Sequence, residues 1–348
     1  MTDLYTSPGP APRTDAGGDP LMRVVGLSRH FKIGNALTRK TLHAVDDVSF
    51  NIGERQIVAV AGESGSGKST IARLLAKIYK PTTGEIYFEG RPLSSIKSRA
   101  DRLRYAGRAP MVFQDPFSSI NPMYRVSHGI MRALKLHRPD LNAKQRFDEA
   151  VRVFEVVGLT PGADVLQRFP HEMSGGQRQR VGFAQALAMQ PKLILADEPV
   201  SMLDVSIRIG LLNLMAKLRD TEGVSILYIT HDLASARYVT DRLIVMYAGH
   251  LVETGPVEDV LANPRHPYTQ LLLSAAPDPR APLNVSAASD RGEPPTVIDP
   301  TPGCRFRWRC PLAIEECHQV TPPLRDLLPD HSAACHVARG DVPTEAFQ

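Results

Sequence analysis

The chain is 348 residues long, 43% apolar and 22% charged, with a net charge of +4. That length and composition suit a soluble globular protein of two or three compact domains. The small charge argues against a nucleic-acid grip, which needs clustered Lys and Arg, and no apolar run approaches the eighteen or so residues of a membrane span.

Residues 1–21 carry Pro, Gly and acids without an apolar core. They read as a disordered lead-in and not as a signal or transit peptide, so a cytosolic chain without structural disulfides is expected. From Met22, short apolar runs predict strands at 24–27, 44–52, 57–61, 111–114, 193–196 and 226–230. Several are apolar on both faces, as in the centre of a parallel sheet covered on both sides. Helical spacing appears at Ile71, Leu74, Leu75 and Ile78, at Ala150, Val153, Phe154 and Val157, and at Val205, Ile209, Leu212 and Ala216. The alternation predicts an α/β sheet. Residues 126–189 hold no convincing strand and read as a helical insertion. After Tyr247, "AGHLVETG" reads as a hairpin and "PVEDVLANP" as a short helix stopped by Pro264; prolines 277, 279, 282, 294, 295, 300 and 302 then mark a loop-rich linker.

The strongest chemical signal is "GESGSGKST", Gly62 to Thr70, between the apolar strand "QIVAVA" and a helix. It fits G-x-x-x-x-G-K-[ST], a loop whose backbone N–H groups cradle phosphates while the helix N-terminus adds partial positive charge. Gly62, Ser64, Gly65, Ser66, Gly67, Lys68, Ser69 and Thr70 are the candidate contacts for ATP, with Lys68 on the γ-phosphate and Ser69 on Mg²⁺. In "LILADEP", an acid ends a buried strand, which is costly unless it serves an ion. Asp197 is placed to hold Mg²⁺, and Glu198 to polarise an attacking water as general base.

"HEMSGGQRQRV", His171 to Val181, puts Ser174, Gly175, Gly176 and Gln177 at a second helix N-terminus suited to an anion. This stretch resembles the signature motif of ABC-type ATPases, in which the loop closes over the ATP held by a partner's phosphate loop. The remaining motifs of that family follow in order: Gln114 in "MVFQDP" matches the Q-loop, Ser201 to Asp204 the D-loop, and His231 in "YITHD" the switch histidine. The resemblance implies a P-loop NTPase (RecA-like) ABC nucleotide-binding domain over residues 22–265, with its helical subdomain at about 120–190. It further implies that Gln114 contacts nucleotide and Mg²⁺, that Asp204 lies at the dimer seam, that His231 senses the γ-phosphate, and that Phe31 stacks on adenine.

"FQDPFSSINP" and "NPRHPYTQLLLSAAP" narrow the resemblance to the dipeptide and oligopeptide importer branch, and "GCRFRWRCP" is similar to that branch's C-terminal extension, here residues 266–348. The insert "KIGNALTRKTLHAV" looks like the F-type ATPase subunit. The branch implies a second, different ATPase subunit as heterodimer partner, two transmembrane permease subunits, an extracytoplasmic substrate-binding protein acting indirectly, no nucleic acid, and a peripheral place on the cytoplasmic face of the membrane. Two positions depart from the branch, Met202 for alanine and Gln185 for arginine. Neither removes a phosphate or metal contact, and both are compatible with a different cargo such as oligosaccharide. A soluble ABC ATPase with a redox-sensing tail is the other class of reading.

The four cysteines, Cys304, Cys310, Cys317 and Cys335, form C-x₅-C-x₆-C-x₁₇-C near the C-terminus. Four thiolates suit tetrahedral zinc or an iron–sulfur cluster. The close C-x₂₋₄-C pairs of zinc fingers are missing, and wide spacing sits more comfortably around a bulky cluster. Arg305, Arg307 and Arg309 alternate through the first loop and could offset thiolate charge; His318 and His336 remain substitute ligands for zinc, and free thiols in a mobile tail the bland alternative. Some ATPase subunits of the resembled branch carry a [4Fe–4S] cluster on such a tail, so a cluster is the expectation, with Zn²⁺ second.

Overall fold

The computed structural model describes residues 19–35, 39–115, 120–274 and 295–339. Most of the expected lead-in, residues 116–119 of the "FQDPFSSINP" stretch, the linker prolines 277–294 and residues 340–348 lie outside the described residues. The chain divides into two compact units: Met1–Gly53, Val58–Leu93 and His231–Gln348 form the first, and Glu54–Ile57 with Ser94–Thr230 the second.

The first unit holds an antiparallel sheet in the order Lys40–Ile52, Met22–Ile33, Thr83–Phe88, Arg91–Pro92. The first two expected strands therefore do not belong to a parallel sheet. Their pleat turns Met22, Val24, Val48, Phe50 and Ile52 inward while alternate residues stay partly exposed. Its second set of strands runs Arg325–Leu328, His331–Ala333, His250–Pro256, Arg242–Tyr247, Ile57–Ala61. Ile57–Ala61 is buried throughout and parallel to Arg242–Tyr247, from Val58 opposite Arg242 to Ala61 opposite Val245. The expected strands omitted Thr83–Phe88 and Arg242–Tyr247. The hairpin expected after Tyr247 forms, with Arg242–Tyr247 and His250–Pro256 as its arms. Helix Lys68–Leu75 buries Ile71, Ala72, Leu74 and Leu75, but it ends before Ile78, which is 53% exposed. The chain leaves the helix at Lys77 (φ 59) and cannot bring Ile78 back to the buried stripe.

The second unit contains parallel strands Ser225–Thr230, Leu193–Asp197 and Met111–Val112, the first two buried at every residue. Helices Val126–His137, Ala143–Val156, Gly162–Val165 and Gly175–Leu187 follow one another without an intervening strand, as the composition predicts. Ala150, Val153, Phe154 and Val157 are fully buried, and Val153, Phe154 and Val157 each contribute about 1.5–3 kcal/mol. Helix Val205–Glu222 is a correction. It buries Leu211, Leu212, Leu214, Met215 and Leu218, whereas Val205 and Ile209 are 70% and 46% exposed. Among the described residues no helix is long and apolar enough to cross a membrane.

Candidate functional site

In the first unit, the turn from Ile57–Ala61 into Lys68–Leu75 is the phosphate-loop candidate. Two glycines are sterically required there. Gly62 has φ 152 and a Cβ would lie 2.2 Å from the Met246 carbonyl oxygen; Gly67 has φ 102 and a Cβ would lie 2.2 Å from that of Ala44. Gly67 is also the helix N-cap and supplies no side-chain cap. Lys68 is 4% exposed, and its Nζ turns back into the loop, donating to the carbonyls of Gly62 (2.7 Å) and Glu63 (2.8 Å). Ser64 and Gly65 are exposed, Ser66 is buried, and Ser69 and Thr70 are half-buried. Phe31 is half-buried under the Arg29 guanidinium at 4.4 Å, with Tyr79 edge-on at 5.4 Å. His231 is exposed.

In the second unit, Asp197 ends its strand at 5% exposure. Glu198 follows with φ 44, a left-handed backbone that a non-glycine residue adopts only under tertiary constraint. Its N–H donates to Ile229 O (3.1 Å), and Gln114 Nε2 donates to its Oε2 (2.9 Å). The same Gln114 amide reaches Ser201 Oγ at 3.4 Å, and Ser201 Oγ donates to Glu198 O at 3.0 Å. The structure thus gathers Gln114, Glu198 and Ser201. Ser174 caps helix Gly175–Leu187: its Oγ accepts from Gln177 N–H and its N–H donates to Gln177 Oε1. A Cβ on Gly176 would sit 2.4 Å from Ile207 Cγ2, so only glycine lets this helix start approach helix Val205–Glu222. Asp204 stands exposed at the start of that helix.

The C-terminal segment belongs to the first unit. Cys304 and Cys310 are half-buried, Cys317 and Cys335 buried, and none is disulfide-linked. Burial pushes the Cys304 thiol up to about 11, against N–H donors from Phe306 and Arg307, and the Cys310 thiol up to about 12. Without a bound cation these sulfurs are neutral at pH 7. The group of described His, Cys, Asp and Glu ligand atoms that all fall within 4.8 Å of one another is His30, His43 and Asp46, not the cysteines. A tetrahedral zinc site, with Zn–S of about 2.3 Å, would hold sulfurs only about 3.8 Å apart. Arg307 Nε and Arg309 Nε are buried donors with no partner among the described residues, a surplus that sulfur acceptors would use. Among the described residues, no three cysteine sulfurs are gathered at the spacing of a single ion.

Two arginines of the tail go elsewhere than expected. Arg309 forks onto Glu63 of the phosphate loop, Nη1 to Oε2 at 2.8 Å and Nη2 to Oε1 at 3.0 Å. Arg305 reaches Asp46 at 2.5 Å and the Ala248 carbonyl. Asp46 also accepts from His30 Nε2 and His43 Nδ1, both at 2.9 Å. Burial alone would raise its carboxyl, but bonds from His250, His43 and His30 and the Arg305 charge hold it well below the usual range. His336 Nε2 binds Val320 O, and His318 packs edge-on against Trp308, so neither ring is idle. Glu63, Tyr268 and the Asp46 hub escaped the sequence reading. Glu63 fills a variable place in its motif, and only the register of distant segments reveals its partners.

The family description "ABC transporter" matches residues 45–201, and "Oligopeptide/dipeptide transporter, C-terminal region" matches residues 252–317. A putative peptide import ATP-binding protein of Brucella ovis is 42% identical over 316 residues, covering 91% of this chain and 97% of that protein. The oligopeptide transport ATP-binding protein OppF of Salmonella typhimurium is 41% identical over 323 residues, covering 90% and 95%. Among solved structures, a dimeric ATP-binding cassette in a post-hydrolysis state with ADP and Pi superposes with a TM-score of 0.60 at 26% identity, covering 68% of this chain and 98% of that one. The protein cbiO1 of Clostridium perfringens, part of the ABC transporter complex cbiONQ, gives the same TM-score at 25% identity, covering 70% and 92%. With an ATP-type phosphate loop, a strand-end carboxylate pair and relatives of this closeness over nine-tenths of its length, the chain belongs to the ATP-hydrolysing subunits of the peptide-importer branch of ABC transporters.

Proposed function

We propose that this chain hydrolyses ATP to power uptake of di- or oligopeptides through partner permease subunits, as a peripheral protein on the cytoplasmic face of the membrane. The observation that carries the reading is Lys68, turned into a glycine-shaped loop at a helix start where its carbonyl partners can yield to phosphate oxygens. Gly62, Ser64, Gly65, Ser66, Gly67 and Thr70 line that loop, and Phe31 offers a ring face to adenine. Bound Mg²⁺, held by Ser69, Asp197 and Gln114, would neutralise charge on the transferred phosphoryl group. Glu198 takes the proton of the attacking water, and His231 stabilises the γ-phosphate charge. The Gln114–Glu198 bond supports the assignment, because it fixes the carboxylate that must orient that water.

A second, different ATPase subunit forms a heterodimer with this one. Ser174, Gly175, Gly176 and Gln177 cover its ATP, and its own signature loop covers the ATP held here. Exposed Met202 (62%), Val205 and Ile209 around Asp204 support an apolar seam beside the D-loop. Exposed Phe113 next to Gln114, and exposed Met123 and Tyr124 just before helix Val126–His137, support docking of a permease segment. The nucleotide-binding domain spans 22–265 and the C-terminal extension 266–348. In the extension Cys304, Cys310, Cys317 and Cys335 hold a [4Fe–4S] cluster, which would supply a redox-active, negatively charged core; zinc is the competing ligand.

Reconstitution with the two permeases in vesicles tests the main reading: ATP-dependent accumulation of a labelled peptide is expected. Uptake of oligosaccharide alone would change the cargo, and hydrolysis without any uptake would overturn the importer. Iron and acid-labile sulfide of about four each per chain are expected after anaerobic purification; one zinc and no sulfide would replace the cluster.

A further inference from the structure

Glu63, the second residue of the phosphate loop, is held at three points. Its N–H donates to Tyr268 Oη (2.8 Å), its carbonyl accepts from Lys68 Nζ (2.8 Å), and its carboxylate takes both arms of Arg309. The Arg309 side chain is only 10% exposed and lies 5.7 Å from the Tyr247 ring and 5.8 Å from that of Phe306. Tyr247, Tyr268 and Phe306 pack on one another with centroids 4.6–5.5 Å apart. A planar fork seated in such a cage has little freedom to turn, so it transmits position as well as charge. A second brace runs beside it. Arg305 donates to Ala248 O, and the next N–H, that of Gly249, donates to Ser66 O in the phosphate loop (3.0 Å). Both arginines come from the loop bounded by Cys304 and Cys310, and Arg309 is bonded covalently to Cys310.

We infer that Arg309 is a positioning residue of the ATP site: by its fork on Glu63 it sets the phosphate loop and the Lys68 carbonyl partner, and it makes nucleotide affinity depend on the state of the four-cysteine segment. Arg309 sits in the loop between Cys304 and Cys310, so a change at those sulfurs moves the backbone that carries the fork. ATP affinity therefore reports on that segment.

The inference rests on the phosphate loop binding nucleotide. The probe is a ribose-labelled fluorescent ATP analogue, titrated into the full-length chain. Binding to the parent and its loss in Lys68→Ala test that premise by themselves. Arg309→Ala is expected to weaken the analogue about tenfold and to raise the KM for ATP in step, with kcat at saturating ATP changed less than about twofold. Arg309→Lys, which keeps the charge without the fork, recovers part of the loss. Glu63→Ala weakens binding similarly, and the double variant is no weaker than the worse single. Cys310→Ser weakens binding in the parent but adds nothing in Arg309→Ala. Trp308→Ala, 74% exposed in the same loop, leaves affinity unchanged. Should Arg309→Ala fail to fold, Arg309→Lys and Glu63→Gln carry the same comparison. Unchanged affinity in a folded Arg309 variant, or losses that simply add in the double variant or in the Cys310 pair, would overturn it.

Discussion

The molecule has two helix starts suited to an anion, and they are finished differently. Helix Lys68–Leu75 begins at a left-handed Gly67 with no side-chain cap, and the loop before it is held from outside by Tyr268, Arg309 and Gly249. Helix Gly175–Leu187 begins at Ser174 and closes its own capping box with Gln177. The first site has no side-chain cap and depends on distant parts of the chain for its shape. The second is locally self-sufficient. Rigidity is thus imported in one case and built in by four consecutive residues in the other.

Substitutions sharpen that contrast, beginning with the chemistry both sites serve. Glu198→Gln should lower ATP turnover by about 10³-fold or more while ATP binding persists, measured as phosphate release beside analogue affinity; near-normal turnover would remove Glu198 from its role as base. Lys68→Ala should weaken nucleotide binding by about 10²-fold, because it removes the charge at the loop centre. At the second site, Gly176→Ala should cost about 1–3 kcal/mol in denaturant unfolding by driving its Cβ into Ile207, and Ile207→Ala in the same chain should return most of it. Nucleotide binding by the isolated chain should be untouched, which would show that the two starts are independent.

A pH-dependent effect concerns the packing behind the phosphate loop. Burial pushes His266 down to about 3, and its Nε2 has no partner among the described residues. Its Nδ1 accepts from Tyr268 N–H, and Glu253 takes the N–H groups of Arg265 and His266. An unfolded histidine takes up a proton near pH 6.5, so between pH 6.5 and 3 the unfolded chain binds more protons than the folded one. Stability should fall with pH across that window by about 1 kcal/mol per unit from this residue. His266→Asn, which keeps an acceptor for Tyr268, should flatten the slope; an unchanged slope would return the proton to another group.

Much of this was legible in the sequence because the relevant patterns are short. A run such as "QIVAVAGESGSGKST" encodes strand, loop and helix within a few residues, and the expected strand at 57–61 matches Ile57–Ala61. Ser174 and Gln177 announce their own cap. What escaped depends on partners far away. Val205 and Ile209 have helical spacing like a buried face, yet the helix turns Leu211, Leu214 and Leu218 inward, since spacing gives a period but not a phase. Met22–Ile33 and Lys40–Ile52 read as sheet strands, but no local pattern states that they pair antiparallel. Arg309 and Glu63 lie 246 residues apart, and nothing near either one names the other.

The C-terminal strands carry one more consequence. His331–Ala333 pairs along His250–Pro256, and Arg325–Leu328 lies outside it as a short outermost strand bearing exposed Arg325 and Asp326. Short, charged borders of this kind discourage other chains from adding on. A gene shortened to end near residue 265 would bare the backbone of His250–Pro256 and strip the cover from buried Tyr247 and Glu253. Its product should clump during overexpression. The last quarter of the chain would thus act as a guard on the edge of the sheet it joins.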